Sequence, residues 1–554
     1  MEKKIVSIIL FIFILSNSSL QQVFQLVKLD GNNISSYFFN HGVFDNKFSA
    51  GNIGGFEWPK GSGKTAVYTA GLNIAGFINT IQGFKFAMCS ASYFGEWCPS
   101  YIPIPHPGME GLPGPQPGFK IYKVIKNLHG EFDWNSWGLM VPYGAPYTDV
   151  NNNCQYDPDI DIPGIKNASQ TIFICMTDAV LSQRRPGEGF GGGVCYPYFY
   201  AEVHMTTWCY DSLNLNDVQF IKWNIINKSD SNWYRLLGSI YIDPDLGNPK
   251  DDMIGCDTSR KLAYCYNATN YDSIYGAAPP AVGFIMLKGF KSSNTGDSWL
   301  NSVNRFIHTG IGGPLCESGA DEPYSAYLCM QGYKNDSTDW MDITQTPYRK
   351  TKFVFSGDPE TNTGWTENKG SLNNCGHDTT GTIITHPGGY DAHILLNTGS
   401  YNLTVHPGDT TEIIIAQLIA RGTSNLNSVT RLKQYADSVW TFYDSIKGQI
   451  EFINCYQQTQ IPRNYFLYQN FPNPFNPKTT IKFDIMQISG NETQDVQLIV
   501  YDLLGREIQK PVNQQLKAGT YEIIFNGNNL PSGVYFYKLS AGDFSMTRKM
   551  ILIK

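Results

Sequence analysis

Charge is scarce in this chain. Asp, Glu, Lys and Arg make up 16% of 554 residues, and the formal net charge is −7. No block of Lys and Arg interrupts that acidic balance, which argues against a nucleic-acid surface. Runs rich in Ala, Glu, Lys and Leu are few, which argues against a helical protein. Beyond the N-terminal segment no stretch has about eighteen unbroken apolar residues, so no transmembrane helix is expected. Gly-x-Ser-x-Gly, His-Glu-x-x-His and a catalytic-cysteine signature are all missing. Gly61-Ser62-Gly63-Lys64-Thr65 imitates the end of a phosphate-binding loop, but the glycine required five positions before Gly63 is Trp58, and Pro59 restricts the backbone beside it. A glycine turn ahead of a strand is expected there.

What is present reads as a secreted, mostly β protein. Glycine occurs 53 times and aromatic residues are 14% of the chain. Strands are expected over 26–38 and 65–86, with glycine breaks, and over 219–227 and 234–242. The run 412–420 is almost wholly apolar and reads as a buried central strand, whereas 101–117, dense in Pro and Gly, reads as loop. One helix stands out. Val429, Leu432, Tyr435, Ala436, Val439, Trp440, Tyr443 and Ile446 recur at three- and four-residue intervals, with Ser424 or Asn427 to cap the start and Gly448 to end it. An aromatic stripe of this kind docks on a body, so it is expected to close a large β-sandwich-like body spanning 22–455, as one domain or two subdomains. Residues 456–464 then form a linker.

Twelve cysteines in an oxidising compartment make disulfides available. Cys89/Cys98, Cys256/Cys265 and Cys316/Cys329 are near enough in sequence for local bridges, with buried thiols as the alternative. Residues 1–21 read as a signal peptide: Glu2-Lys3-Lys4, an apolar core over 5–15, then small polar residues.

The C-terminal segment 465–554 alternates with period two at Ile481, Phe483 and Ile485, at Val496, Leu498 and Val500, and at Tyr521, Ile523 and Phe525. About seven short strands in about ninety residues suit a small Ig-like β-sandwich. Pro472-Asn473-Pro474-Phe475-Asn476-Pro477 opens it as a stiff edge or linker end. Then follow a turn with Asp502 and Gly505, Gly519 in AGTYEIIFNG, Gly533 and Tyr535 in LPSGVYFYKLSAG, and Lys549 in the closing KMILIK. These motifs, in this order, resemble the type A C-terminal sorting domain of type IX secretion. The resemblance implies export across the outer membrane to the cell surface or beyond, with the secretion translocon as a partner. The body stretches 32–42, 56–77, 144–153, 241–257, 275–284 and 356–365 resemble segments of large secreted proteins with the same tail, which implies a shared body and no particular activity.

Two oxygen-rich segments carry the strongest site signals. Asp149, Asn151, Asn153, Gln155, Asp157, Asp159 and Asp161 place a side-chain oxygen at every second position. Ca2+ takes six to eight such oxygens, though Cys154 and Ile160 stand where an EF-hand loop has Gly and Glu. An ion-free loop of Asx turns is the alternative. Asp243, Asp245, Asp251, Asp252 and Asp257 fall within fifteen residues and repel one another unless a cation or donors offset them. Calcium is the expected ligand of both segments. A carboxylate pair of the kind a polysaccharide hydrolase uses, in the 241–257 region or the 149–161 loop, is the alternative. His377, His386, His393 and Cys375 form a weak zinc candidate whose spacing fits no known finger. The expected role is surface binding, adhesion or coat formation, with surface polysaccharide or lipopolysaccharide as a partner; the alternative is a secreted polysaccharide hydrolase.

Overall fold

The computed structural model describes residues 25–47, 54–80, 83–102, 118–151, 153, 156–180, 190–192, 197–290, 300–307, 313–376, 381–451, 465–470, 472–486 and 493–554. The signal peptide expected over 1–21, the linker expected over 456–464, most of the 101–117 loop, Cys154, Gln155 and His377 lie outside the described residues.

The fold is mostly β. In the body, two large antiparallel sheets face each other. The first has eleven strands among the described residues. Its path runs Leu300–Ile307, Ala392–Gly399, Trp233–Asp243, Thr69–Thr80 and then the short strands near the N-terminal end. The second has nine, running Asp252–Asp257, Leu262–Asn267, Ala281–Lys288, Thr410–Ala420, Val218–Asn227, Ala201–Cys209 and Gln170–Thr177, with two short strands at its far edge.

The strand Thr410–Ala420 shows why the 412–420 run carries no polar alternation. Ile413, Ile415 and Ile419 face the core between the sheets. Ile414, Ala416 and Leu418 face the opposite way, into a second core beneath the helix. Both faces of this central strand are dry, so period two cannot appear as polarity.

The helix Asn425–Glu451 supplies the lid of that second core. Val429, Leu432, Ala436, Val439 and Tyr443 are buried on it, and Trp440 donates its indole N–H to the carbonyl of Arg260 at 2.9 Å. Ser424 is its cap: the hydroxyl oxygen accepts from the Asn427 backbone N–H at 3.0 Å. Gly448 does not end the helix, which continues through Ile450, itself buried against the same core. That contact outweighs the glycine's entropic cost of about 1 kcal/mol. A second, shorter helix, Pro323–Met330, has no counterpart in the sequence reading; its buried Ala326, Tyr327 and Met330 pack on the first sheet's outer face.

The 61–65 segment is the turn expected of it. It joins the short strands Phe56–Glu57 and Thr65–Val67, and Gly61 (φ 86°) and Gly63 (φ 71°) supply the left-handed conformations. The cysteine expectations fare differently. Cys316 bonds Cys375 rather than Cys329, and Cys89, Cys98, Cys256, Cys265 and Cys329 are buried thiols. Sheet register explains one miss. Cys256 stands opposite Ala263 and Cys265 opposite Ile254, so the two sulfurs are offset along the ladder. The Cys316–Cys375 bridge lies beside a buried ionic cluster: Arg305 donates to Glu317 at 2.7 Å, and Lys334 donates to the other Glu317 oxygen at 2.8 Å.

The C-terminal domain has two sheets around its own core. Phe466–Leu467, Lys478–Ile485 and Gly519–Asn526 form one; Glu507–Leu516, Gln494–Tyr501, Gly533–Ala541 and Phe544–Leu552 form the other. Ile481, Phe483, Ile485, Val496, Leu498, Val500 and Phe525 meet between them.

Candidate functional site

The 149–161 loop is closed by a two-residue ladder in which Tyr147 faces Pro163 and Thr148 faces Ile162. Within it Asp149, Asn151, Asn153, Asp157 and Asp161 hydrogen-bond to one another and to backbone N–H groups of the loop. Asp161 is buried, and its two oxygens accept the backbone N–H groups of Val150 and Asp157, each at 2.8 Å. One oxygen of Asp157 accepts the side-chain amides of both Asn151 and Asn153 at 2.7 Å. The Asn153 N–H is shared between Asp149 and Asn151 at 3.2 Å. Burial first, then Asp149, Asp161 and Asp157, push the neighbouring Tyr147 hydroxyl up to about 12. The loop thus concentrates negative potential, and amide N–H groups occupy it.

The second acidic segment divides. Asp257, at the far end of the strand Asp252–Asp257, pairs with Arg260 at 2.8 Å. Asp251 accepts from the Asn267 side chain at 2.7 Å. Asp252 is buried; one oxygen accepts the Leu246 N–H at 2.9 Å and the other has no hydrogen-bond partner. Asp243 closes the long strand Trp233–Asp243, and its carboxylate faces that of Asp245. Burial, then Asp243 and Asp391, raise the Asp245 carboxyl to about 9.

Asp391 and His393 come to Asp243 from the adjacent strand Ala392–Gly399 and the residue before it. His393 Nε2 lies 3.5 Å from an Asp243 oxygen and 3.9 Å from an Asp391 oxygen. Tyr93 donates to Asp243 at 2.9 Å, and its hydroxyl is also 2.9 Å from His393 Nε2. Burial lowers the basicity of His393, but the charge and hydrogen bond of Asp243 and the charge of Asp391 together outweigh it, and the net direction is upward. Asp391 and Tyr93 escape a sequence reading because about 150 residues separate each from Asp243, and only the tertiary fold brings them together. The histidine–cysteine group, by contrast, is dispersed. Cys375 is consumed by its disulfide, and His386 packs on the Tyr390 ring.

Cys175, Glu202 and His204 also meet, on neighbouring strands in which Cys175 stands opposite His204. Glu202 Oε1 lies 2.9 Å from His204 Nε2 and 3.6 Å from Lys228. Burial works against the Glu202 charge, but Lys228 and then His204 hold its carboxyl down at about 2. The Cys175 thiol is pushed well up by burial and donates to the Ser100 carbonyl, so it is a structural thiol, not a nucleophile.

In the C-terminal domain the proline-rich motif is stitched to the end of the chain. Phe475 donates its N–H to Ile551 at 2.9 Å and accepts from the Ile553 N–H at 3.0 Å, and its ring is buried in the core. The Asn473 side-chain oxygen accepts from the Ile551 N–H at 2.8 Å. The Pro477 carbonyl accepts from Gly527 at 2.7 Å, and the Pro472 carbonyl from the Thr479 hydroxyl at 2.8 Å. Pro472, Pro474 and Asn476 face solvent. Asp502 accepts the Leu504 and Arg506 N–H groups at 2.9 Å, with Gly505 left-handed at φ 79°. Gly519 and Gly533 each begin a strand. The buried Tyr535 donates its hydroxyl to the Pro531 carbonyl at 2.8 Å, and Lys549 lies on the last strand, where its carbonyl accepts from Gln469 at 2.7 Å.

Comparison with known proteins matches residues 469–554 to the family described as the secretion system C-terminal sorting domain. No curated protein matches the chain. Among solved structures, a polysaccharide lyase aligns at 7% identity and TM-score 0.18, over 64% of this chain and 34% of that one. The dimeric latent PorU of Porphyromonas gingivalis aligns at 10% and 0.14, over 78% and 34%. PorZ of the same organism, a surface component of the type IX secretion system, aligns at 10% and 0.12, over 74% and 46%. The chain therefore spans about a third to under a half of each, and likenesses of this size carry no argument about its activity. The C-terminal segment is a type IX sorting domain, and the protein is secreted to the outer cell surface or the extracellular space through that system. No helix among the described residues is long and apolar enough to cross a membrane.

Proposed function

We propose that the exported body is a calcium-braced, non-catalytic β-sandwich that serves binding, adhesion or coat formation at the cell surface, with surface polysaccharide or lipopolysaccharide as its partner class. We read the tail's strand order, first-second-fifth against fourth-third-sixth-seventh, as an Ig-like arrangement. The observation that carries the calcium reading is the convergence of Asp149, Asn151, Asn153, Asp157 and Asp161 within one ladder-closed loop. A half-turn of the Asn151 and Asn153 amides exchanges N–H for oxygen toward Asp157, the kind of donor that calcium takes. The hydrolase alternative calls for two carboxylates held apart across an open cleft. Asp243 and Asp245 instead face each other at close range.

Thermal unfolding of the full-length protein in calcium and in chelator tests this. Calcium at a hundred times its dissociation constant stabilises the folded state by about 2.7 kcal/mol. The midpoint is expected to rise in wild type and not in Asp161→Asn. An unchanged wild-type midpoint refutes the calcium reading.

A further inference from the structure

We propose that Asp243, Asp391 and His393, with Asp245 beside them, form a binding site for one divalent cation of the zinc class, distinct from the 149–161 loop. Four observations support it. First, the three donor atoms lie within 4.8 Å of one another. The His393 Nε2 separations of 3.5 and 3.9 Å from the two aspartates sit close to the ~3.4 Å between donors around a tetrahedral ion with bonds of about 2.0–2.1 Å.

Second, the site is incomplete as a purely protein arrangement. Asp243 is 4% exposed, and its Oδ1 has no hydrogen-bond partner. A buried carboxylate oxygen without a donor is costly unless a cation supplies the missing charge. The Asp252 Oδ1, on the Asp245 side, is also buried and without a hydrogen-bond partner.

Third, the ligands are already oriented. Tyr93 donates to Asp243 Oδ2, the outer-shell contact that fixes a ligating carboxylate. The Phe306 and Tyr241 rings lie 4.8 and 5.6 Å from the His393 ring and hold it in place. Fourth, there is a way in, because the Asp391 side chain is 30% exposed. The imidazole decides the class of metal. Calcium favours a shell of six to eight oxygens, whereas three or four donors that include a histidine nitrogen suit zinc.

The test uses the full-length protein, stripped with chelator, dialysed, and titrated calorimetrically with Zn2+ and separately with Ca2+. One Zn2+ per chain is expected, with a raised unfolding midpoint and no displacement by calcium. Outer-shell changes alone cost about 10–100-fold in affinity, so losing a ligand in Asp391→Asn or His393→Gln is expected to weaken zinc by at least about 100-fold. Asp391 stands at the rim, so its variant keeps the test decisive if His393→Gln does not fold. A second readout needs no metal: stripped Asp243→Asn is expected to melt above stripped wild type, because a buried carboxylate oxygen without a donor is gone, and to gain nothing from zinc. Absence of zinc binding, unchanged zinc affinity in Asp391→Asn, or displacement of zinc by equimolar calcium would each overturn the proposal.

Discussion

Asp45 provides the most direct check on how the body balances buried charge. It lies between the two sheets, fully buried. One of its oxygens accepts from the Gln417 side chain at 3.4 Å, and the other has no partner. Burial dominates and raises the carboxyl from its ordinary 3.8 to about 7, against the opposing hydrogen bonds of Ser36 and Gln417. Because the folded value is the higher one, the group's contribution to stability is fully present below pH 3.8 and is lost as pH rises through 7. At ~1.4 kcal/mol per pH unit, that interval amounts to about 4 kcal/mol. Asp45→Asn removes the titration. The backbone favours it, since residue 45 sits at φ 57°, a left-handed conformation that Asn adopts readily. The new amide N–H also has an acceptor within the same cluster, the Gln417 Oε1, which now has no partner. Denaturant unfolding of wild type and variant at pH 4, 5, 6, 7 and 8 measures the effect. The variant's advantage is expected to grow by ~1.4 kcal/mol per unit between about pH 4 and 7 and then level off. Parallel pH profiles, or a variant less stable than wild type at pH 8, would refute the reasoning.

Three further changes probe other parts of the molecule. Leu432→Ala empties a fully buried position beneath the closing helix and is expected to cost about 2–5 kcal/mol by denaturant unfolding; a cost under 1 kcal/mol would mean the helix is not docked there. Phe475→Ala is expected to cost about 3–5 kcal/mol in the sorting domain and to lower the amount of protein reaching the cell surface, read by fractionation and blotting. Unchanged export would separate translocon recognition from this domain's packing. Replacing both Cys316 and Cys375 by Ser opens a loop with a sequence separation of 59 and is expected to cost about 4 kcal/mol. An unchanged unfolding profile with and without reductant would contradict that bridge.

The sequence shows its own limits element by element. Several local determinants could be read, though the helix Pro323–Met330 and the end of the closing helix were not. The tail's strands follow from alternation at Ile481, Val496 and Phe525, and the 61–65 turn follows from Gly61 and Gly63. The helix over Asn425–Glu451 follows from its apolar stripe and Ser424, because 3.6-residue periodicity and capping are properties of a short window. The address was legible for a related reason: the sorting domain is a contiguous run of motifs, and its Pro-rich opening and closing strand are both visible in the chain.

Tertiary structure alone decided the rest. Cys316 finds Cys375 and not its nearer neighbours, because a disulfide is chosen by Cα separation and direction, here 5.5 Å, and not by spacing along the chain. The acidic run 243–257 looks like one site in sequence, yet Asp257 leaves for Arg260 and Asp251 for Asn267. Asp243 meets instead Asp391 and His393, brought alongside by the pairing of Trp233–Asp243 with Ala392–Gly399. Strand register juxtaposes residues about 150 positions apart at almost no distance in space, and no periodicity within either segment records which strand will lie beside it.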